Sequence, residues 1–281
     1  MRTGLPAPHL ILLILLTLVA FAGNSLLCRL ALRHTGIDAA SFTTIRLVSG
    51  AAILWLIAKK RPAAAAGRGN WGSAFALFAY AAAFSFAYLN LTVATGALLL
   101  FGAVQGTMIG YGIWKGERLR FPHIAGILLA ILGLVGLLLP GLSAPPLGSS
   151  VLMLAAGVAW GIYTLRGKNA GDPTKVTAGN FLRAAPMAAV LSLMTLQQAI
   201  FDPAGIWYAL ASGALASGIG YVIWYAVVPQ LKTSTAATMQ LSVPVIAAVG
   251  GILFLGEPIT TRLLLASATV LGGIALVVLR R

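Results

Sequence analysis

Acidic residues are scarce in this chain. Asp and Glu together number 5 among 281 residues, and all charged residues make up only 9%. Residues 69–114 and 121–165 contain no Asp, Glu, Lys or Arg. A soluble domain needs a charged surface, whereas about 20 apolar residues suffice to cross a bilayer. The sequence therefore excludes an ordinary soluble domain and predicts an all-α polytopic membrane protein.

Residues that could bind a metal or carry acid–base chemistry are also few. The single cysteine, Cys28, excludes an intramolecular disulfide and a site with several cysteine ligands. No two acid–base groups lie close together in the sequence. We therefore predict no metal, no cofactor and no enzymatic activity; a membrane-embedded enzyme acting on lipid is the alternative from another functional class.

The carboxylates and histidines all lie near the predicted ends of apolar segments. Proton antiporters normally place such a group inside the membrane, where its protonation competes with substrate. We therefore hypothesise a facilitator or exchanger without obligatory proton coupling. The groups concerned are His9, His34, Asp38, Glu117, His123, Asp172, Asp202 and Glu257.

Positive charge is abundant, with a formal net charge of +14. The Lys and Arg residues are dispersed in short clusters between apolar runs, which is typical of topology signals and not of a nucleic-acid surface. We therefore predict no nucleic-acid partner.

Hydropathy and Pro/Gly breaks divide the chain into ten apolar segments. Pro140-Gly141 and Pro145-Pro146 mark a junction, so we predict a first five-helix repeat over 1–141 and a second over 142–281. The predicted helices are 10–32, 39–58, 71–91, 93–114, 122–140, 149–166, 174–196, 205–227, 234–255 and 261–279.

The distribution of Lys and Arg predicts the orientation, because cytoplasmic loops carry an excess of both. With the N-terminus inside, only Arg29, Arg33 and Arg262 fall outside. Both termini are then cytoplasmic, in a multi-pass protein of the plasma (bacterial inner) membrane. The predicted inner segments carry Arg2, Lys59, Lys60, Arg61, Arg68, Lys115, Arg118, Arg120, Arg166, Lys168, Lys175, Lys232, Arg280 and Arg281.

Two stretches of the chain resemble each other at one fixed offset. Residues 95–118 and 235–258 each form an apolar segment that ends in Gly-Glu, at 116–117 and at 256–257. The start of the first predicted helix also resembles a signal peptide. This part of the first helix has a counterpart near 158–161 in the second half, so we predict that the helix is retained and not cleaved. Because each half has an odd number of spans, the second half must have inverted topology, which is typical of transporters with a central substrate site.

These motifs resemble those of the drug/metabolite transporter superfamily, EamA type. The resemblance rests on the ten-helix pattern, on Gly-Glu-Arg-Leu at 116–119 and Gly-Glu-Pro-Ile at 256–259, and on Arg46 and Arg183 in helices 2 and 7. Within the superfamily the chain resembles the YddG-like exporters of aromatic and other amino acids. That resemblance implies export through a central cavity lined by helices 1, 3, 4, 6, 8 and 9.

Arg46 and Arg183 are the intramembrane charges. Each lies about eight residues, roughly 12 Å, from the end of its predicted helix. A charge at that depth is costly unless it is paired or hydrated, which makes each arginine a functional candidate. Either could hold a substrate carboxylate or bond carbonyls and water between helices, and we favour the second, structural role.

Aromatic residues recur at helical spacing, as at Tyr80, Phe84 and Tyr88. Rings can contact an ammonium group and stack on an apolar side chain, although contact with lipid is the alternative for each. The indoles of Trp55, Trp71, Trp114 and Trp207 lie near span ends, where an interfacial position is expected. The candidate cavity aromatics are Tyr80, Phe84, Phe101, Trp160, Tyr163, Tyr221 and Trp224.

Uncharged polar residues within the spans complete the candidate site. Asn24, Gln105 and Gln240 must each find a partner, either another helix or the substrate, and Met108 continues the stripe of Phe101 and Gln105. Pro244 should kink helix 9 and is our hinge candidate. The adjacent stripe of Gly102, Gly106 and Gly110 is interpreted as close helix packing.

We therefore expect a secondary transporter that exports small organic solutes by alternating access, and the expected solutes are amino acids, including aromatic ones. A multidrug or other metabolite exporter of the same superfamily is the alternative. The expected partners are the substrate and the lipid bilayer, and a monomer is compatible with the sequence.

Overall fold

The computed structural model describes residues 7–60, 67–116, 121–141, 143–167, 170–227, 231 and 239–279, and every regular element among them is helical. In that part of the chain, nine helices have the length and composition to cross a membrane, and a tenth apolar helix is shorter. The prediction of an all-α polytopic membrane protein is confirmed.

The helices follow one another with short connections. The eighth is a continuous run of an α-helical, a π-helical and a second α-helical segment. A 3₁₀ turn, Leu196–Gln198, precedes it. The bounds are α1 Ala7–His34, α2 Ala39–Lys59, α3 Trp71–Tyr88, α4 Val93–Trp114, α5 Phe121–Leu138, α6 Leu147–Gly167, α7 Pro173–Met194, α8 Pro203–Leu210 with Ala211–Ile219 and Gly220–Val227, α9 Val243–Leu255 and α10 Thr261–Leu279.

Short polar residues begin several of these helices. Asp38, Asp172 and Asp202 each accept a hydrogen bond from a backbone N–H in the first turn of α2, α7 and α8. Asn70 and Thr92 do the same for α3 and α4. Such caps satisfy N–H groups that have no partner within the helix. Most of the scarce carboxylates are therefore used to begin helices.

Helices of the two predicted halves pack against each other throughout the bundle. The pairs include α1 with α8, α2 with α7, α3 with α6, α4 with α6 and α5 with α10. Small residues permit the closest approaches: a Cβ added at Gly126 or at Gly273 would lie 2.5 Å from the carbonyl oxygen of the other. The division at residue 141 into inverted repeats stays a prediction.

The glycine stripe of α4 differs from its interpretation. No described residue lies within 4 Å of a Cβ built at Gly106 or Gly110, and both glycines are exposed. Gly102 makes only ordinary contacts, with Leu134 and Val270 at 3.6–3.7 Å. The prediction of close packing is therefore wrong for Gly106 and Gly110 as regards the described part of the chain.

Pro244 lies in the first turn of α9 and not inside a longer helix. The described chain turns at residues 241–242, and α9 begins at Val243. A proline in the first turn removes an N–H that would have no helical partner in any case. Residues 239–240, before this turn, are helical, so the span is interrupted just before Pro244. The kink at Pro244 and its role as a hinge both stay predictions. The predicted start of this span, 234–238, lies outside the described residues.

Candidate substrate cavity

A cavity lies among helices of both predicted halves. Its empty space, with the opening to solvent included, is about 360 Å³. Five helices contribute to it: α1, α3, α4, α6 and α8. The lining residues are Phe21, Asn24, Ser25, Tyr80, Phe84, Leu100, Phe101, Trp160, Ala216, Ser217 and Tyr221.

The predicted site residues fall into two groups. Asn24, Tyr80, Phe84, Phe101, Trp160 and Tyr221 line the cavity. The others lie outside this lining: Tyr163 and Trp224 are buried next to lining rings, Gln105 is buried, and Met108 and Gln240 are partly buried. The Trp side chains assigned to the membrane interface, Trp55, Trp71, Trp114 and Trp207, are all exposed.

Trp160 of α6 is the centre of the aromatic wall. Its ring centroid lies 4.9 Å from that of Tyr80 and 5.1 Å from that of Tyr221. On its outer side Tyr163 stacks on it at 5.3 Å with an interplanar angle of 28°. Rings at these distances pack as well-formed aromatic pairs, so the wall offers flat apolar faces to a solute.

Arg46 lies directly behind this wall and is only 2% exposed. Its Nη2 donates to the Tyr80 hydroxyl at 2.9 Å, and its Nε donates to Ser217 at 3.4 Å. The guanidinium carbon also lies 5.0 Å from the ring centroid of Phe84. Its Nη1 is buried and makes no hydrogen bond with any described residue. All the partners that the described chain gives to this cation are therefore neutral.

Asn24 extends the same network to α1 and α8. Its Nδ2 donates to the Tyr80 hydroxyl at 3.1 Å, and its Oδ1 accepts from Ser212 at 2.6 Å. The Tyr80 oxygen thus accepts from two donors, Asn24 and Arg46. Four helices, α1, α2, α3 and α8, are joined by this polar network at the cavity.

Arg183 has a different environment from Arg46, although both were expected to lie equally deep. Its Nη1 donates to the carbonyl oxygens of Arg68 at 2.6 Å and Gly179 at 2.9 Å. Its guanidinium carbon lies 6.0 Å from the ring centroid of Trp71, at the start of α3. The structure therefore places the guanidinium of Arg183 near the start of α3, and Arg183 is not among the residues that line the cavity.

A partly buried ion pair joins the two predicted halves at the end where α3 meets α4. Arg29 Nε donates to Glu257 at 3.1 Å, and Arg29 Nη1 donates to the carbonyl oxygens of Tyr88 and Leu89. The second Glu257 oxygen accepts from the N–H of Val93 at 2.7 Å. We call Arg29 and Glu257 the latch. Glu117, the corresponding residue of the first Gly-Glu motif, lies outside the described residues.

Two aspartates join the α1–α2 loop to the α7–α8 loop. Asp38 accepts from the N–H of Ile200 at 3.0 Å, and Asp202 accepts from the N–H of Gly36 at 3.2 Å. Hydrogen bonds from Gly205 and Gly36 lower the pKa of the Asp202 carboxyl. Partial burial of Asp38 opposes its charged form, but hydrogen bonds from Ser41 and Ile200 outweigh it and lower the pKa of Asp38.

Several lining residues had no signal in the sequence. Phe21, Leu100 and Ala216 look like ordinary apolar residues of a span, and Ser25 and Ser217 like ordinary small ones. Ser217 belongs to the π-helical segment of α8, and π-helical turns often mark functional sites. No residue pattern predicted that segment. Among the described residues, no group of three or more His, Cys, Asp or Glu side chains could hold a metal ion.

A bundle of apolar helices around a cavity lined by both predicted halves is typical of one class of molecule, the multi-pass membrane transporters. The sequence pattern of the EamA-like transporter family matches residues 148–279. The chain is 56% identical over 279 residues to uncharacterized protein PA1977 of Pseudomonas aeruginosa, covering 99% of this chain and 97% of that protein. This chain belongs to the EamA-like transporter family of the drug/metabolite transporter superfamily, as its motifs predicted.

Two further comparisons concern a named exporter and a solved structure. The chain is 32% identical over 151 residues to the threonine/homoserine exporter RhtA of Escherichia coli K12, covering 52% of this chain and 51% of that one. A protein of known crystal structure superposes with a TM-score of 0.68 at 19% identity, over 98% of this chain and 99% of that one. The likeness to this solved structure shows the fold alone. The family and these relatives indicate a small-solute exporter and not an enzyme.

Proposed function

We propose that this protein exports amino acids, including aromatic ones, through the cavity between its halves. The observation that carries the proposal is the wall of Tyr80, Trp160 and Tyr221 with the Asn24 amide beside it. Ring faces attract an ammonium group and stack on apolar side chains, and the amide fixes a polar group. The half-length likeness to a threonine/homoserine exporter supports the same substrate class.

Alternating access is the mode of transport that we propose. The cavity wall takes residues from both halves, so movement of one half against the other changes which side the cavity faces. The latch of Arg29 and Glu257 joins the halves at the end that the Lys and Arg distribution predicts to be outside. Opening of the cavity to the outside then requires Arg29 and Glu257 to separate. The same Lys and Arg distribution places both termini in the cytoplasm in this proposal.

Transport does not require a proton gradient in this proposal. Asp38, Asp172 and Asp202 cap helices, and Glu257 pairs with Arg29. None of these carboxylates lines the cavity. A substrate-coupled proton site needs a titratable group that the substrate displaces, and the described cavity wall supplies no carboxylate or histidine for it.

Uptake into proteoliposomes tests the proposed function. Radiolabelled Phe, Trp, Met, Thr and Lys and a cationic dye are offered to reconstituted protein, with and without an imposed pH gradient. We expect saturable flux of Phe, Met and Thr that is the same with and without the gradient, because the cavity has ring faces and no proton site.

Protein-free liposomes provide the control for leakage. Flux of the dye alone would contradict amino-acid export and would favour the multidrug alternative. Flux that strictly requires the pH gradient would contradict the absence of proton coupling.

A further inference from the structure

Arg46 has an unused donor beside the cavity. We propose that Arg46 and the Tyr80 hydroxyl together form the site that binds the carboxylate of the transported amino acid. This inference rests on the proposed function and assigns the part of the substrate that the arginine recognises. Arg46 contacts Tyr80, Phe84 and Ser217, which all belong to the cavity wall.

The hydrogen bonds of Arg46 leave one of its donor nitrogens unused. A guanidinium carries five N–H donors and no acceptor. Nη2 and Nε are bonded to Tyr80 and Ser217, whereas Nη1 is buried and has no partner among the described residues. An unsatisfied N–H on a buried cation is unfavourable, so an acceptor that arrives at Nη1 gains more than it would in water.

Tyr80 supplies the second donor. A phenolic oxygen can accept hydrogen bonds and has one proton to donate. The Tyr80 oxygen already accepts from Arg46 Nη2 at 2.9 Å and from Asn24 Nδ2 at 3.1 Å. Neither of these bonds uses the phenolic proton of Tyr80. A carboxylate that accepts this proton would lie next to the guanidinium, and Arg favours such planar, two-oxygen partners.

The charge of Arg46 lacks a counter-ion within the described chain. Glu257 pairs with Arg29, and the aspartates Asp38, Asp172 and Asp202 cap helices. A buried cation with only neutral partners is costly in an apolar bundle. Arg183 also has neutral partners, but its Nη1 bonds two carbonyl oxygens and is therefore not left without an acceptor.

The anion site and the rings would hold opposite parts of one solute. Trp160 and Tyr221 line the cavity along with Tyr80, and their faces suit an ammonium group or an apolar side chain. The carboxylate contact therefore sets which solutes bind, while the rings tolerate different side chains. The expected substrates are zwitterions with a free carboxylate, and amides or alcohols of the same amino acids should be poor.

Exchange of L-phenylalanine and of L-phenylalaninamide across proteoliposomes tests the assignment. The two solutes share the ring and the ammonium group and differ in the carboxylate. We expect Arg46→Lys to raise the KM for phenylalanine by about 10- to 100-fold, the range for hydrogen bonds to charged groups, and to change that for the amide little. Tyr80→Phe keeps the ring, removes the proton and should raise the KM for phenylalanine by about 2- to 10-fold.

Matched variants separate recognition from general disturbance. Arg183→Lys changes an intramembrane arginine outside the cavity lining, and Tyr163→Phe removes a buried hydroxyl that lies behind Trp160. Both should leave the phenylalanine-to-amide preference as in the wild type. Each variant is first compared with the wild type by size-exclusion chromatography and thermal unfolding. If Arg46→Lys does not fold, Tyr80→Phe decides.

The outcomes distinguish this inference from the proposed function. Persistent phenylalanine exchange with an unchanged preference for phenylalanine over the amide in Arg46→Lys and Tyr80→Phe would overturn the carboxylate site and leave amino-acid export standing. Absence of amino-acid exchange in the wild type would overturn the proposed function, and the carboxylate site with it.

Discussion

The two arginines show how strongly a side chain's role depends on its neighbours. Both interrupt apolar spans, and nothing in the local sequence distinguishes them. Arg183 bonds two carbonyl oxygens and is partly exposed, whereas Arg46 is buried among hydroxyls and rings. Two carbonyl oxygens satisfy Nη1 of Arg183 without a ligand, whereas Nη1 of Arg46 has no acceptor among the described residues. The structural role favoured for the pair therefore fits Arg183 better than Arg46.

Gly213 allows α8 to pack closely against α2 next to Arg46. A Cβ at this position would collide with the Ser49 hydroxyl and with the backbone carbonyl of Arg46. We therefore predict that Gly213→Ala destabilises the protein by roughly 1–3 kcal/mol, the usual cost of overpacking, and also weakens transport. Thermal unfolding in detergent and proteoliposome flux measure the two effects.

Gly106→Ala is the matched control for Gly213→Ala. No described residue lies within 4 Å of a Cβ at Gly106, and alanine favours a helix more than glycine does. Its unfolding temperature should equal or slightly exceed that of the wild type. Equal stability of both variants would contradict the close contact of α2 and α8.

Residue types alone predicted part of the cavity. Tyr80, Phe84 and Trp160 were found because large polar or polarisable rings at helical spacing inside apolar spans favour a shared face. Phe21 and Ser217 were not found, because single apolar or small residues in a span carry no sign of the face they occupy. Which face meets the cavity depends on packing between helices distant in the chain, which a single sequence does not encode locally.

At the scale of the element, the helices follow local rules closely. Uninterrupted apolar runs predicted most spans to within a few residues, and only residues 89–92 separate α3 from α4. Exceptions arose where a turn or a change of helix type interrupts a span. The start of α9 at Val243 and the π-helical Ala211–Ile219 are examples.

The loops joined by Asp38 and Asp202 should respond to acid. Because the folded-state pKa of each carboxyl lies below its ordinary value of 3.8, the charged forms stabilise the fold above that value. That stability is lost only as the pH falls through the lower folded-state pKa. We predict that the unfolding temperature in detergent changes little between pH 7 and pH 5 and falls below about pH 4.

A double variant isolates this contribution. Asn caps helices nearly as well as Asp but does not titrate, so Asp38→Asn with Asp202→Asn should show a smaller acid loss than the wild type. The double variant should also unfold at a lower temperature at pH 7, since an amide has one acceptor oxygen for contacts that occupy both oxygens of Asp38. An acid loss as large as that of the wild type would contradict the assignment.

At the scale of the whole molecule, cross-half contacts decide how the cavity is enclosed. Both charged side chains of the latch have further hydrogen-bond partners: Arg29 donates to two carbonyl oxygens, and Glu257 accepts from the N–H of Val93. The Gly-Glu motif was noticed in the sequence as a repeat marker. Its pairing with Arg29, 228 positions away, could not be predicted, since no local pattern links the two residues.

The central claim is that amino acids cross the membrane through the aromatic cavity. The most direct test compares exchange of labelled phenylalanine and threonine by the wild type, Trp160→Ala and Trp114→Ala. Trp160 is at the centre of the wall, whereas Trp114 is 76% exposed and serves as the control. We predict that Trp160→Ala changes the preference between phenylalanine and threonine by about 2- to 10-fold and that Trp114→Ala does not. Unchanged exchange of both amino acids by Trp160→Ala would contradict the account.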